Sequence, residues 1–158
     1  MHKRILACCL SIVLSVAVLQ AQSPRLSLRA ASVEPVEGWQ AMRVEHCQGE
    51  RCTVWVSPTT ALTENDIENA QPEIRAADGS RVINVVYTDA AVNKMRDLTA
   101  AQVKKHIALV VDGKILWAPQ VNFAQADKKS GFAGNTGHGL TQEEVDLIMS
   151  ILRQAQPR

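Results

Sequence analysis

Residues 106–119 constrain the fold more than any other segment of the chain. Two apolar, β-branched runs flank Asp112-Gly113, and this dipeptide readily adopts the positive φ angles of a two-residue type I′ turn. The pattern therefore predicts a tight β-hairpin. Because its residues are apolar on both faces, we expect the hairpin to lie in the middle of a sheet.

The N-terminus has the three parts of a secretory signal peptide. A short basic region at residues 2–4 precedes an apolar, uncharged stretch at residues 5–19, and cleavage is expected after Ala21. An uncleaved anchor is the alternative, but the apolar stretch is shorter than the ~20 residues of a spanning helix. Residues 1–21 are therefore assigned as a signal peptide, and the mature chain is expected to be periplasmic or secreted.

The charge of the mature chain argues against two classes of partner. Cleavage removes two of the 17 basic residues and none of the 16 acidic ones, which leaves a net charge near −1. No basic patch or long run of one sign survives, so neither nucleic-acid binding nor electrostatic docking on a membrane is expected. No later segment is apolar and long enough to cross a bilayer, so no membrane span is expected in the mature chain.

Two cysteines remain after cleavage, Cys47 and Cys52, and they flank a polar loop that contains Gly49. Alternating apolar residues on either side predict a hairpin that a Cys47–Cys52 disulfide would close. A redox-active pair usually has two intervening residues and a helix start, and a metal site needs more ligands than His46 alone supplies. The pattern favours a structural disulfide over a redox site or a metal site.

The mature chain has about 137 residues, which is enough for one domain with its own core. Residues 22–38 carry two prolines and no sustained periodicity. We therefore predict a flexible leader over residues 22–38 and a folded domain over residues 39–158.

One local pattern occurs three times, at residues 62–67, 98–103 and 140–145. In each copy a leucine precedes a threonine, and an Asp, Gln or Glu follows three residues after that threonine. This is a capping box with a hydrophobic staple, so each copy predicts a helix start. The first helix is predicted over residues 64–71, ending before the next proline. After the third start, apolar residues recur at helical spacing over residues 145–152.

The remaining patterns predict further strands and one more helix. Turn residues Ala-Asp-Gly-Ser favour a hairpin over residues 72–87, and Thr88 is expected to cap a helix over residues 90–98. An irregular strand pair is expected within residues 121–133. Together these elements predict an α+β fold, in which one mixed or antiparallel sheet has helices packed on one face.

Five segments follow one another in a recognisable order: residues 56–70, 85–88, 98–102, 107–119 and 137–145. Their order resembles the head subdomain of the first periplasmic domain of SecD and SecDF, accessory subunits of the bacterial Sec translocon. The string Ala-Leu-Val-Val-Asp-Gly-Lys, followed by Ala-Pro, is its most specific part. The resemblance covers roughly residues 55–152.

The resemblance implies a ferredoxin-like fold outside the membrane and contact with emerging, unfolded preproteins. Since no membrane helices follow the signal peptide, the chain is interpreted as a free-standing head-like module without proton-driven activity. Two positions depart from the family pattern. Lys104 stands where glycine is common, and Trp117 stands where a small residue is typical.

The sequence offers no catalytic constellation. His46, His106 and His138 have no serine or cysteine at a spacing that would pair with them. His106 begins an apolar strand and is expected to be a hydrogen-bonded structural residue. Glu143 and Glu144 follow a helix cap, where the helix dipole favours acids. We therefore predict no catalytic, metal or cofactor site, and no enzymatic activity.

Aromatic side chains are the candidate binding residues. Tyr87, Trp117, Phe123 and Phe132 could border a groove that takes an extended peptide by strand addition. Core packing is the alternative for these residues, and we favour it for Tyr87 and Phe123. The expected partner is a protein or peptide, which the resemblance narrows to a preprotein or an envelope component.

The glycine-rich segment between Gly131 and Gly139 supports an alternative function. Such segments bind anions when they precede a helix, so the chain could be an exported small-molecule or anion-binding protein. The lysine and hydroxyl that follow the last glycine of a phosphate-binding loop are missing. Polypeptide binding is therefore the leading hypothesis.

Overall fold

The structure, a computed structural model, describes residues 23–47, 52–125, 127–133 and 139–156. In chain order its strands are β1 (Leu26–Ser32), β2 (Gln40–Arg43), β3 (Thr53–Val56), β4 (Leu62–Thr63), β5 (Ile67–Ile74), β6 (Arg81–Tyr87), β7 (His106–Val111), β8 (Lys114–Trp117) and β9 (Lys129–Ala133). The helices are α1 (Asp89–Ala101) and α2 (Gln142–Ala155), and a 3-10 helix spans Glu64–Asp66. The α+β class is confirmed, although the strands form two antiparallel sheets where a single sheet was expected. The predicted signal peptide lies outside the described residues.

The larger sheet has the strand order β2-β3-β1-β7-β8, and β4 pairs with the other end of β1. The sheet curls until its two edges meet. Val44, just after β2, forms a bridge with Ile115 of β8, and the Glu45 N–H donates to the Ile115 carbonyl at 2.8 Å. Alternation along β7 sends Ala108 and Val110 into a small core on one face of this sheet, and Leu109 and Val111 into the main core on the other.

The predicted hairpin at Asp112-Gly113 is confirmed. Asp112 and Gly113 have φ angles of 45° and 79°, as a type I′ turn requires. Strand β7 lies between β1 and β8, and five of its six residues are buried. The apolar residues on both faces of this strand therefore mark a central strand, as expected.

Strand β1 corrects the prediction of a flexible leader over residues 22–38. Leu26 to Ala31 pair with the whole of β7 in antiparallel register, and Leu26 and Leu28 are buried in the main core. Their partners lie some eighty residues further along the chain. The strand forms because it pairs with a distant part of the chain. The local sequence of residues 22–38, with its two prolines, gives no sign of that pairing.

The smaller sheet has the order β5-β6-β9. Helix α2 packs against β5 and β6, and the main core lies between this layer and the inner face of the larger sheet. From α2 the core takes Val145, Ile148, Met149, Ile151 and Leu152, so the helical spacing predicted for residues 145–152 is confirmed. No helix in the described part of the chain is long and apolar enough to cross a membrane.

The helix predicted over residues 64–71 is wrong. Thr63 forms its capping box with Asp66, but only the 3-10 turn Glu64–Asp66 follows, and β5 then begins at Ile67. A capping box satisfies the donors of one turn, and pairing with β6 decides the conformation of the residues after it. Pro72 is tolerated inside β5 because, among the described strands, β5 pairs with β6 alone and thus forms an edge.

Two of the other predicted helix starts are confirmed and one is wrong. Thr141 caps α2 and Thr88 caps α1, as predicted. The start predicted at residues 98–103 is wrong, because these residues form the end of α1 and the turn after it. There the Thr99 hydroxyl donates to the Met95 carbonyl at 2.8 Å.

The irregular strand pair predicted within residues 121–133 is also wrong, since β9 pairs with β6.

Candidate functional site

The β2–β3 hairpin is closed by a disulfide between Cys47 and Cys52, whose Cα atoms lie 5.4 Å apart. The hairpin itself is confirmed, with Gln40 to Arg43 paired antiparallel to Val56 to Thr53. Residues 48–51 lie outside the described residues. Where the chain is described, no group of three or more His, Cys, Asp or Glu side chains is arranged to hold a metal ion.

The described histidines have structural partners. His106 Nδ1 lies 2.9 Å from the Ala118 carbonyl oxygen, so this ring joins β7 to the segment that follows β8. His46 Nε2 lies 3.0 Å from Glu144 Oε1, and the other oxygen of Glu144 accepts from the Thr141 N–H at 2.8 Å. The His46–Glu144 contact therefore ties the disulfide hairpin to the start of α2. His138 lies outside the described residues, and Glu143 is exposed in the first turn of α2.

The candidate aromatic residues do not form one site. Tyr87 and Phe132 are each only 1% exposed and pack in the main core, so neither borders a surface groove; burial raises the pKa of the Tyr87 hydroxyl well above its usual range. Trp117 is half-buried against the same core. Phe123 is 66% exposed, so the expectation that it packs in the core is wrong.

The glycine-rich segment is not a single loop. Gly131 lies within β9 opposite Asn84, and Gly139 leads into α2. Residues 134–138, which the anion-binding alternative requires, lie outside the described residues.

A groove of about 490 Å³ with both apolar and polar lining residues runs between β5 and α2, and we call it the β5–α2 groove. Pro72 and Ile74 line it from the strand, and Val145 and Met149 line it from the helix. Residues two apart on a strand share a face, and residues four apart on a helix share a face, so each pair points into the same space. Val145 and Met149 are buried, whereas Ile74 is 65% exposed.

The rim of the β5–α2 groove carries charges of both signs and one neutral amide: Glu73, Arg81, Gln142, Asp146 and Arg153. The Gln142 amide donates to the Asp146 carboxylate at 3.0 Å, and the Glu73 carboxylate accepts from the Asn84 amide. Neither Arg81 nor Arg153 forms a salt bridge with any described residue. Two guanidinium groups are therefore available at the rim to a ligand that carries carboxylates or carbonyl groups.

Gly139 sets the distance between α2 and the smaller sheet. Its φ angle is 64°, and a Cβ atom on it would lie 2.6 Å from the Arg81 backbone nitrogen. The next residue, Leu140, donates its N–H to the Arg81 carbonyl at 2.9 Å. Only glycine allows this approach, because a side chain would collide with the backbone of β6.

The far end of α2 is also attached to the smaller sheet. Gln156 follows the helix directly, and its side-chain amide donates to the backbone carbonyl of Glu68, at the start of β5, at a distance of 3.2 Å. The β5–α2 groove is thus bounded by fixed contacts at both ends of the helix.

Sequence reasoning missed this groove. Ala70, Pro72 and Ile74 alternate with the polar Gln71 and Glu73, which is a strand pattern. The capping box at Thr63 and the proline instead favoured a helix that ends at residue 71. The hairpin predicted over residues 72–87 did place Ile74 in a strand, but no local pattern places α2 beside that strand.

Comparison with known proteins identifies the family. The family model described as "SecDF, P1 head subdomain" matches residues 40–154, which is most of the chain. The chain belongs to this family. The family assignment made from the ordered segments is therefore confirmed.

Two curated relatives carry the names of translocase subunits. Protein translocase subunit SecD of Thermobaculum terrenum is 36% identical over 95 residues, covering 60% of this chain and 18% of the relative. Protein translocase subunit SecDF of Brucella abortus biovar 1 is 38% identical over 64 residues, covering 40% of this chain and 8% of the relative. The chain thus spans less than a fifth of the length of either relative.

Two solved structures share the fold. The membrane component SecDF, described as enhancing protein export, aligns with a TM-score of 0.58 at 20% identity, covering 81% of this chain and 61% of that one. SecDF in its super-membrane-facing form aligns with a TM-score of 0.57 at 17% identity, covering 82% of this chain and 18% of that one. At these identities the alignments support the fold alone.

Proposed function

We propose that this protein is an exported, non-enzymatic SecDF head-like module that binds extended segments of other polypeptides in the β5–α2 groove. The family supports a role in protein export, since its named members are translocase subunits. The N-terminal signal pattern supports a location outside the cytoplasm. Cleavage after Ala21 belongs to the same proposal.

One observation carries the choice of site: Ile74 exposes 65% of its surface directly beside the apolar floor of the groove. Single exposed apolar residues are common on protein surfaces, but Ile74 continues the apolar lining that Pro72, Val145 and Met149 form, and contiguous apolar surface marks binding sites. Met149 adds adaptability, because its unbranched thioether side chain fits differently shaped partners. A groove of this kind suits apolar side chains of many different sequences.

The edge of β5 limits how the ligand binds. Pro72 has no N–H to donate, so a peptide that added as a further strand would lose a ladder hydrogen bond at the middle of β5. We therefore propose capture through apolar side chains that enter the groove, with the two rim arginines contacting the backbone or carboxylates of the ligand. This mode needs no continuous strand pairing.

The test is the affinity of the mature chain for a permanently unfolded, carboxymethylated polypeptide, measured by fluorescence anisotropy. Ile74→Asn should raise Kd about tenfold, since it removes a central apolar contact. Val33→Asn is the matched control, because Val33 is 57% exposed and does not line the groove. Equal Kd values for the wild type and Ile74→Asn would refute the groove as the binding site.

A further inference from the structure

A second surface, remote in sequence from the β5–α2 groove, exposes apolar side chains beside the end of α1. Val103 is 39% exposed and Phe123 is 66% exposed. Their two segments are held together, because Val103 forms a bridge with Val121 and the Lys104 N–H donates to the Val121 carbonyl at 2.8 Å. The Val121 N–H in turn donates to the Lys105 carbonyl at 2.8 Å. The exposed apolar pair therefore sits on fixed backbone.

The segment that follows Phe123 is attached to α1 as well. The Gln125 N–H donates to the Thr99 hydroxyl oxygen at 2.8 Å. Phe123 lies between this contact and the bridge at Val121, so it is held on both sides. A side chain presented in this way loses little backbone freedom when a partner covers it.

The surface is basic as well as apolar. Lys104 and Lys105 are both exposed, and neither forms a salt bridge with a described residue. The two segments that build the surface, residues 98–106 and 118–125, contain no Asp or Glu. Charge complementarity therefore favours an acidic partner.

The backbone of Lys104 adds an independent observation. Its φ angle is 66°, in a turn that closes with a 2.8 Å hydrogen bond from the Lys105 N–H to the Gln102 carbonyl. This conformation favours glycine and strains most other residues. A lysine at a strained, exposed position is the kind of outlier that accompanies a binding role.

We propose that Val103, Lys104, Lys105 and Phe123, here called the basic–apolar patch, bind a polypeptide segment that carries acidic side chains beside an apolar one. An anionic lipid surface is the weaker fit, because recognition of that kind usually uses a cluster of four to eight basic residues. The patch shares no residue with the β5–α2 groove. The proposal for the basic–apolar patch therefore does not depend on ligand binding in the groove.

The experiment uses two labelled synthetic peptides with the same phenylalanine and leucine positions, one rich in glutamate and the other rich in lysine. Wild-type mature chain should bind the acidic peptide about fivefold more tightly, as two exposed charge pairs provide. The double variant Lys104→Glu/Lys105→Glu should reverse that preference. Phe123→Ser should weaken binding of the acidic peptide by a similar factor.

Two further variants keep the result interpretable. Lys104→Gly relieves the positive φ angle, so it should fold at least as well as the wild type while losing part of the acidic preference. Ile74→Asn, in the groove, should leave the preference for the acidic peptide unchanged, because the patch shares no residue with the groove. Equal affinities of the wild type for the two peptides, or a ratio that charge reversal leaves unchanged, would overturn the proposal. Lysine-dependent binding to phosphatidylserine vesicles without a peptide preference would also overturn it and identify a lipid surface.

Discussion

The two sheets of this domain differ in how their edges are paired. The larger sheet curls until β8 meets the residue after β2, and a disulfide closes its β2–β3 hairpin. The smaller sheet keeps β5 as an edge strand, with the exposed Ile74 beside the groove that α2 forms. On this difference we propose that the larger sheet is the scaffold, while the smaller sheet and α2 carry the groove that binds extended polypeptides.

The largest expected effect concerns the scaffold. Leu28→Ala should lower the free energy of unfolding by about 2–5 kcal/mol, because it leaves a cavity in the main core. Urea denaturation followed by circular dichroism measures this change. Val33→Ala, one residue beyond β1 and exposed, should change stability by less than about 0.5 kcal/mol. Similar small effects at both positions would mean that residues 26–32 do form a leader.

The next effect concerns the attachment of α2. Gly139→Ala should lower the free energy of unfolding by about 2–4 kcal/mol, since it combines a positive φ angle with a collision against the backbone of β6. Gly38→Ala is the matched control, because Gly38 also has a positive φ angle, of 76°, but no atoms near its would-be Cβ. Its cost should be about 1 kcal/mol. If the two variants were equally stable, the groove would not depend on this close approach.

The disulfide should have a smaller effect than either. Replacing both Cys47 and Cys52 by serine should lower the free energy of unfolding by about 2 kcal/mol, because the closed loop is short. Denaturation of the oxidised wild type and of the variant gives the difference. Mass spectrometry of the wild type should show the loss of two hydrogens. In a reducing buffer the two proteins should differ far less, and a difference that persisted there would assign the effect to something other than the bond.

The smallest effect concerns the hairpin turn. The Arg25 guanidinium donates to both oxygens of Asp112, at 2.9 and 2.8 Å, and these hydrogen bonds lower the pKa of the Asp112 carboxyl. A lowered folded-state pKa gives stability that is present above the unfolded pKa, about 4, and is lost as the pH falls through the folded value. Asp112→Asn keeps a residue that suits the type I′ turn, so it isolates the charge.

Denaturation of the wild type and Asp112→Asn across this pH range tests that interpretation. The wild type should be the more stable protein at neutral pH, and the difference should vanish in acid. A difference that grew as the pH fell would contradict the assigned direction of the pKa change.

Local signals predicted well wherever one turn or one cap decides the structure. Asp112-Gly113 gave the hairpin because its φ angles suit few other residues. Thr141 and Glu144 gave the start of α2 because each satisfies a donor of the other. The Cys47–Cys52 pair similarly followed from a short loop between alternating segments.

Local signals failed where a distant strand decides the structure. Leu26–Ser32 becomes a strand by pairing with β7, and residues 67–71, predicted as a helix, become a strand by pairing with β6. The groove was missed because it forms where α2 packs against β5, a tertiary contact that no local pattern predicts. The exposed position of Phe123 was likewise missed, because an aromatic residue in an apolar sequence is more often part of a core.

Hydrogen–deuterium exchange of a chain spanning residues 22–158, with and without a saturating unfolded polypeptide, tests the proposed contrast between scaffold and binding surface most directly. Protection should increase at β5 around Ile74 and in the first turns of α2, and it should stay unchanged across β1 and β7. Protection confined to the larger sheet, or the absence of any change at β5 and α2 when the polypeptide is bound, would contradict this account.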